Sequence, residues 1–219
     1  MRPLGTLLVL ASLVTGCAAG QHRPSGSAST RAGCDGAGTV VARADLDGDG
    51  GAETVRGCGG ALVVEVGGAT AVLDVGPQRL RPGPGQAVHL PGAADLVLVR
   101  SRATSAGLSQ PHLYGLDGHR LVEVTVDGRP VLPTVSTTRV VAPVTATCTR
   151  DGGIAVVRGT ASEPPGVVLA WDLTRTTYAV HAGVATRRSA RVVRRSVADP
   201  VLRKERPDLF DGRLFAGCG

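Results

Sequence analysis

LVEVTVDG, residues 121–128, decides how the chain has to be read. In an extended chain successive side chains point to opposite faces, so Val122, Val124 and Val126 share one face and Leu121, Glu123 and Thr125 the other. Valine is β-branched and packs well on a pleated surface. Asp127-Gly128 then closes the run with a dipeptide suited to a hairpin turn. The stretch predicts a strand followed by a hairpin.

The same grammar extends in both directions. Before it come TVVARA (39–44), ALVVEV (61–66), TAVLDV (70–75), DLVLV (95–99) and HLYGL (112–116). After it come VTATCT (144–149), GIAVVRGTA (153–161), GVVLAWDL (166–173), TTYAVHAG (176–183) and SARVVRRSV (189–197). Turn residues separate the runs, as in Leu116-Asp117-Gly118-His119. Short apolar runs punctuated every 8–12 residues or so predict an all-β fold of about eleven or twelve short antiparallel strands. The units are propeller-blade-like or sandwich-like. No long segment has helical periodicity; the best helix candidate is Asp199 to Phe210, interrupted by Pro207. Ala44-Asp45-Leu46 recurs as Ala94-Asp95-Leu96, each time at a strand edge, a faint sign of an internal repeat.

Aromatic residues are few: one Trp, two Tyr and two Phe. The core must be built from Val, Leu and Ala, which bury less area each than rings do. Crosslinks and a bound metal would help such a core.

The chain starts MRPLGTLLVLASLVTGCAAG. Arg2 precedes an apolar run from Leu4 to Val14, too short to span a bilayer that needs about 20 residues. This is the layout of a secretory signal peptide. Val14-Thr15-Gly16-Cys17 resembles the bacterial lipobox, in which the cysteine thiol receives diacylglycerol and the chain is cut at the bond preceding that cysteine. The resemblance implies a signal peptide over 1–16 and lipidation at Cys17. Two acyl chains suffice for stable anchoring, at about 0.8 kcal/mol per buried CH2. Residues 17–33 are small and polar and read as a flexible tether. Residues 34–219 are of a length suited to one domain. The expected location is extracytoplasmic, at the cell membrane.

Four further cysteines follow: Cys34, Cys58, Cys148 and Cys218. An even number on an exported chain favours two disulfides, with three possible connectivities. Cys34–Cys58, bracketing an acidic loop, and Cys148–Cys218, pinning the C-terminus, are the preferred pairs. No CxxC or Cys/His cluster has zinc-ligand spacing.

The acidic loop is ARADLDGDGGAET, residues 42–54. Calcium takes six to eight oxygen ligands, roughly 2.3–2.6 Å away. Asp45, Asp47 and Asp49 would offer three carboxylates, Gly51 a backbone carbonyl, and Glu53 would close the shell. Gly50 permits the sharp turn. A helix-loop-helix calcium hand needs an acid where Arg56 stands, so that motif is excluded. Over residues 39–57 the loop resembles the calcium loop of FG-GAP/VCBS-type repeats, the blades of integrin-α-like propellers, in which D-x-D-G-D-G-x-x-D lies between two strands. Here Glu53 replaces the last aspartate, and the FG and GAP words are absent. The resemblance implies bound Ca2+ that pins a hairpin. Much of the remaining chain is similar to small actinobacterial lipoproteins carrying one such loop, through QPHLYG (110–115), EPPGVVLAWD (163–172) and a C-terminal LF-GC pattern. No activity comes with that resemblance.

Catalytic signatures are missing: the chain has no HExxH, GxSxG or phosphate-cradling glycine loop. His22, His89, His112, His119 and His181 show no carboxylate or cysteine partner by spacing and read as surface histidines. Glu163 and Asp172 flank Trp171 and form the only candidate carboxylate pair; strand ends are the simpler reading. The net charge is +6. It concentrates after residue 150, with Arg187, Arg188, Arg191, Arg194, Arg195, Arg203, Lys204 and Arg206. Such a surface suits anionic headgroups or envelope polymers; the alternative reading is a solvated edge strand guarded by charge. Nucleic acid is opposed by the export signal and by the lack of aromatic platforms. The expected function is therefore a membrane-anchored, calcium-stabilised and disulfide-bonded β module, non-catalytic, that binds an anionic envelope polymer or another envelope protein. The alternative is an envelope glycan- or solute-processing enzyme.

Overall fold

The computed structural model describes residues 38–76, 85–101, 104, 107–136, 142–162 and 168–218. All of them belong to the contact unit Ala32–Gly219. The first sheet is an antiparallel meander of β1 (Thr39–Ala44), β2 (Glu53–Cys58), β3 (Ala61–Val66) and β4 (Ala69–Asp74), paired in chain order. The second contains β5 (Gln86–Val88), β6 (Leu96–Arg100), β8 (Pro111–Asp117) and β9 (Arg120–Glu123), again in chain order, with β7 (Leu108–Ser109) on the way from β6 to β8. Next come β10 (Thr125–Val126), β11 (Arg129–Pro130) and β12 (Val135–Ser136), the last paired with β7. The third large sheet adds β13 (Val144–Cys148), β14 (Ile154–Ala161), β15 (Ala170–His181) and β16 (Val184–Ala198) in the order β11-β10-β16-β15-β14-β13.

The fold is all-β, with one short helix. The expected strand lengths are exceeded at the end of the chain. GVVLAWDL and TTYAVHAG do not form two strands; they merge into the 12-residue β15. SARVVRRSV lies in the C-terminal part of the 15-residue β16. Three register shifts bend this long hairpin. Every pairing is antiparallel except one parallel bridge, Thr125 to Val184.

LVEVTVDG is divided between two sheets. Leu121 and Glu123 pair with β8, and the Val124 N–H still donates to the Leu113 carbonyl. At Thr125 the chain leaves β8, and its N–H donates to the Gly183 carbonyl in the turn between β15 and β16 of the third sheet. Leu121 therefore faces the core between the first two sheets, and Val124 the core on the other side. Asp127 and Gly128 both have positive φ, 50° and 71°, as the hairpin from β10 to β11 requires.

The second sheet is the middle layer. Val97, Val99, Tyr114 and Leu121 pack on Val41, Val55, Leu62 and Val64 of the first sheet. Leu96, Leu98 and Leu113 point the other way, onto Val144, Ile154 and Val156 of the third. β6 is thus covered on both faces, which is why Leu96-Val97-Leu98-Val99 is a continuous apolar run rather than an alternating one.

At the C-terminus, α1 (Asp199–Glu205) has Pro200 in its first turn, and a 3-10 turn, Pro207–Leu209, follows where Pro207 stops the helix. Leu202 and Leu209 pack on Trp171, Leu173 and Val197, a third apolar cluster. The tail then returns to β13. Phe215 is buried, its N–H donates to the Ala146 carbonyl, and Cys218 is disulfide-bonded to Cys148 with Cα atoms 5.6 Å apart. Cys58 is also disulfide-bonded.

Candidate metal centre

The acidic loop connects β1 to β2, whose ends are set by the pairing of Ala44 with Glu53. Leu46, in the loop itself, is fully buried in the core between the first two sheets and anchors the loop from below. Above it the carboxylates are arranged by backbone amides. Asp45 accepts the N–H of Gly48 through Oδ1 (2.8 Å) and of Gly50 through Oδ2 (3.0 Å). Asp47 accepts the Asp49 N–H (3.2 Å), and Asp49 accepts the Gly51 N–H (2.7 Å). These are short-range turns in which Asp side chains hydrogen-bond their own backbone. Gly48 and Gly50 have φ of +77° and +91°, conformations a side chain would strain.

Three of the five expected ligands converge. One carboxylate oxygen each from Asp45, Asp47 and Asp49 lies within 4.8 Å of the others. Asp45 is half-buried; Asp47 and Asp49 are exposed. At that spacing each pair of charges repels by about 1 kcal/mol even at the dielectric of water. A hard cation would relieve this with oxygen ligands of the kind calcium takes. Glu53 lies outside this trio; its Oε2 accepts the Leu46 N–H at 2.7 Å and ties the start of the loop to its end. Gly51 contributes its N–H to Asp49.

One supporting residue was not legible as such. Asp95 is buried, and its Oδ2 accepts the Asp45 N–H at 3.0 Å and pairs with Nδ1 of the half-exposed His89 at 2.7 Å. In return the Asp95 N–H donates to the Asp45 carbonyl at 2.7 Å. The repeated Ala-Asp-Leu was the one available signal, and it misleads about equivalence. Asp45 follows β1, whereas Asp95 precedes β6, so the two tripeptides occupy opposite ends of their loops. They are neighbours across the two sheets rather than copies of one position.

The surface reading of His112 is corrected. His112 is buried at 5% exposure, its Nδ1 lies 2.7 Å from Glu123 Oε1, and its ring stacks near Tyr114. The partners are eleven residues apart but sit diagonally across the β8–β9 ladder, where Tyr114 faces Glu123. Asp172 is also engaged: it accepts the Ser196 N–H (2.7 Å) and the Ser162 hydroxyl (3.0 Å). The Ser196 amide, then Ser162, and then the charge of Arg195 hold its carboxyl below the usual range. It braces a register shift in β15–β16. Its proposed partner Glu163 lies outside the described residues, as do Cys17, Cys34, the segment 1–16 and the tether 17–33. No helix among the described residues is long and apolar enough to cross a membrane.

Comparison of the chain with known protein families, with curated proteins and with solved structures finds no match.

Proposed function

We propose that the chain is an extracytoplasmic lipoprotein, anchored at Cys17, whose β domain binds calcium and serves as a non-catalytic binding or scaffold module. The observation that carries the cation is the convergence of Asp45, Asp47 and Asp49 within 4.8 Å in a loop between two antiparallel strands. The ordering of the loop by its own amides supports a structural rather than a catalytic role for that cation. A four-stranded meander bearing the loop between its first two strands supports the resemblance to FG-GAP/VCBS-type blades. The Cys148–Cys218 disulfide supports an oxidising location.

Thermal unfolding in excess calcium and in EDTA tests the cation. A ligand held at 100 times its Kd only by the folded state stabilises it by about 2.7 kcal/mol. The expected rise in melting temperature is about 5 °C or more for a chain of this size. Equal melting temperatures would remove calcium from the reading. The anchor is tested by labelling cells with radioactive palmitate: the wild-type chain should carry label and the Cys17→Ala variant should not. An unlabelled wild-type chain would end the lipoprotein assignment.

A further inference from the structure

We propose that the cleft between the β10–β11 hairpin and strands β14 and β15 of the same sheet is a binding site for an anionic saccharide. This deepens the reading of the chain as a binding module and rests on that part of it alone; neither calcium nor the lipid enters.

The cleft, ≈ 760 Å³, is within the size range of small-molecule sites. Its floor is the continuation of a core-forming face. Val156 pairs with Thr176 across β14–β15, Arg158 with Thr174, and Thr160 with Asp172. Ile154 and Val156 belong to the core, but one step further the same face turns polar, and Arg158, Thr160, Thr174 and Thr176 line an open cleft. Tyr178 closes one end, and Arg129 faces it from the hairpin, beside walls formed by Val131 and Pro133.

The side chains define a ligand chemistry. Arg129 and Arg158 are exposed and form no ion pair with any described residue. A guanidinium fork matches the two oxygens of a carboxylate or phosphate. One lining carboxylate, Asp127, stands against the two arginines. On β16, Arg187 pairs with Tyr178 and so shares its face, adding positive charge at that end. Three threonine hydroxyls, each both donor and acceptor, suit a polyol more than a simple ion. The Tyr178 ring and the Val131–Pro133 wall give the C–H face of a sugar an apolar surface. A flat bilayer cannot enter such a recess, and stacked bases would need more than one ring. A sugar bearing a carboxylate or a phosphate meets all of these groups.

The test is calorimetric titration of the full-length chain in detergent with trigalacturonate, phosphorylated maltotriose and neutral maltotriose. At least one acidic sugar should bind at least tenfold more tightly than neutral maltotriose, and the preferred one reports whether the acid is carboxylate or phosphate. Arg158→Gln and Arg129→Gln should each weaken it about tenfold, the loss expected for a charge-assisted hydrogen bond. A Thr174→Val, Thr176→Val double variant should weaken it severalfold without changing charge. Arg191→Gln lies on the opposite face, paired with Arg175, and should leave binding unchanged. Failure of both acidic sugars to bind, equal binding of the neutral one, or an Arg191 effect as large as that of Arg158 would overturn the site. Palmitate labelling does not bear on these titrations, so loss of the anchor and loss of the cleft are separately visible.

Discussion

At the scale of single residues, the acidic loop separates two kinds of aspartate. Asp45 holds two backbone amides and is itself held by buried Asp95. Asp47 accepts one amide at 3.2 Å and is exposed. Removing Asp45 should therefore hurt the fold even in EDTA. Asp45→Ala gives up two hydrogen bonds to exposed amides, about 1 kcal/mol net, and should be less stable than Asp47→Ala there. Asp47→Ala gives up one long hydrogen bond and relieves carboxylate repulsion, so in EDTA it should be neutral to slightly stabilising, and it should lose the calcium-dependent increment. Denaturant titration of both variants with and without calcium checks the contrast. The loop was legible because its pattern is local: acids at every second position and glycines where φ is positive. Asp95 and the His112–Glu123 pair were not, because each is made across strands, where spacing along the chain carries no distance.

At the scale of elements, the C-terminal helix depends on one carboxylate. Asp199 accepts the indole N–H of Trp171 at 2.7 Å and the Arg203 Nε–H at 2.6 Å. Burial pushes its carboxyl up, but the hydrogen bonds from Arg203 and Trp171, with the charge of Arg203, outweigh it and hold the group below the usual carboxylate range. A carboxyl depressed in the folded state contributes stability above its unfolded pKa and loses it as pH falls through the folded value. Docking of α1 should accordingly weaken below about pH 4, where an unperturbed Asp takes up its proton. Trp171 is the only tryptophan, so its fluorescence should report the transition. Asp199→Asn should shrink the acid-induced change. The helix and its stop at Pro207 were readable from the sequence. The length of β15 and β16 was not, because register shifts let one strand continue where its apolar pattern breaks.

At the scale of the whole molecule, three sheets share two cores, and the middle sheet belongs to both. The tail that carries Phe215 and Cys218 closes one of these cores. Gln86 of β5 donates to the Phe215 carbonyl, so the tail touches the middle sheet as well as β13. The Cys148–Cys218 bridge spans 70 residues. In the chain-entropy account a loop of that length contributes about 4 kcal/mol by restricting the unfolded state. A Cys148→Ser, Cys218→Ser double variant should lose roughly that much in a denaturant melt, with strand content retained under native conditions. Loss below 1 kcal/mol would mean that Phe215 and its hydrogen bonds hold the tail without the bridge.

What the sequence by itself determined is local: strands from a period of two, hairpins from Asp-Gly, a helix ended by proline, and a loop of alternating acids. Each of these follows from backbone sterics and neighbouring side chains. Only the tertiary structure decided that residues 121–126 leave one sheet for another at Val124, that Asp45 leans on Asp95, and that a core-facing row of β14 and β15 opens into a polar cleft. Those outcomes depend on which faces are covered. Burial is settled by the packing of segments far apart in the chain, and an apolar pattern states that a face must be covered without stating by what.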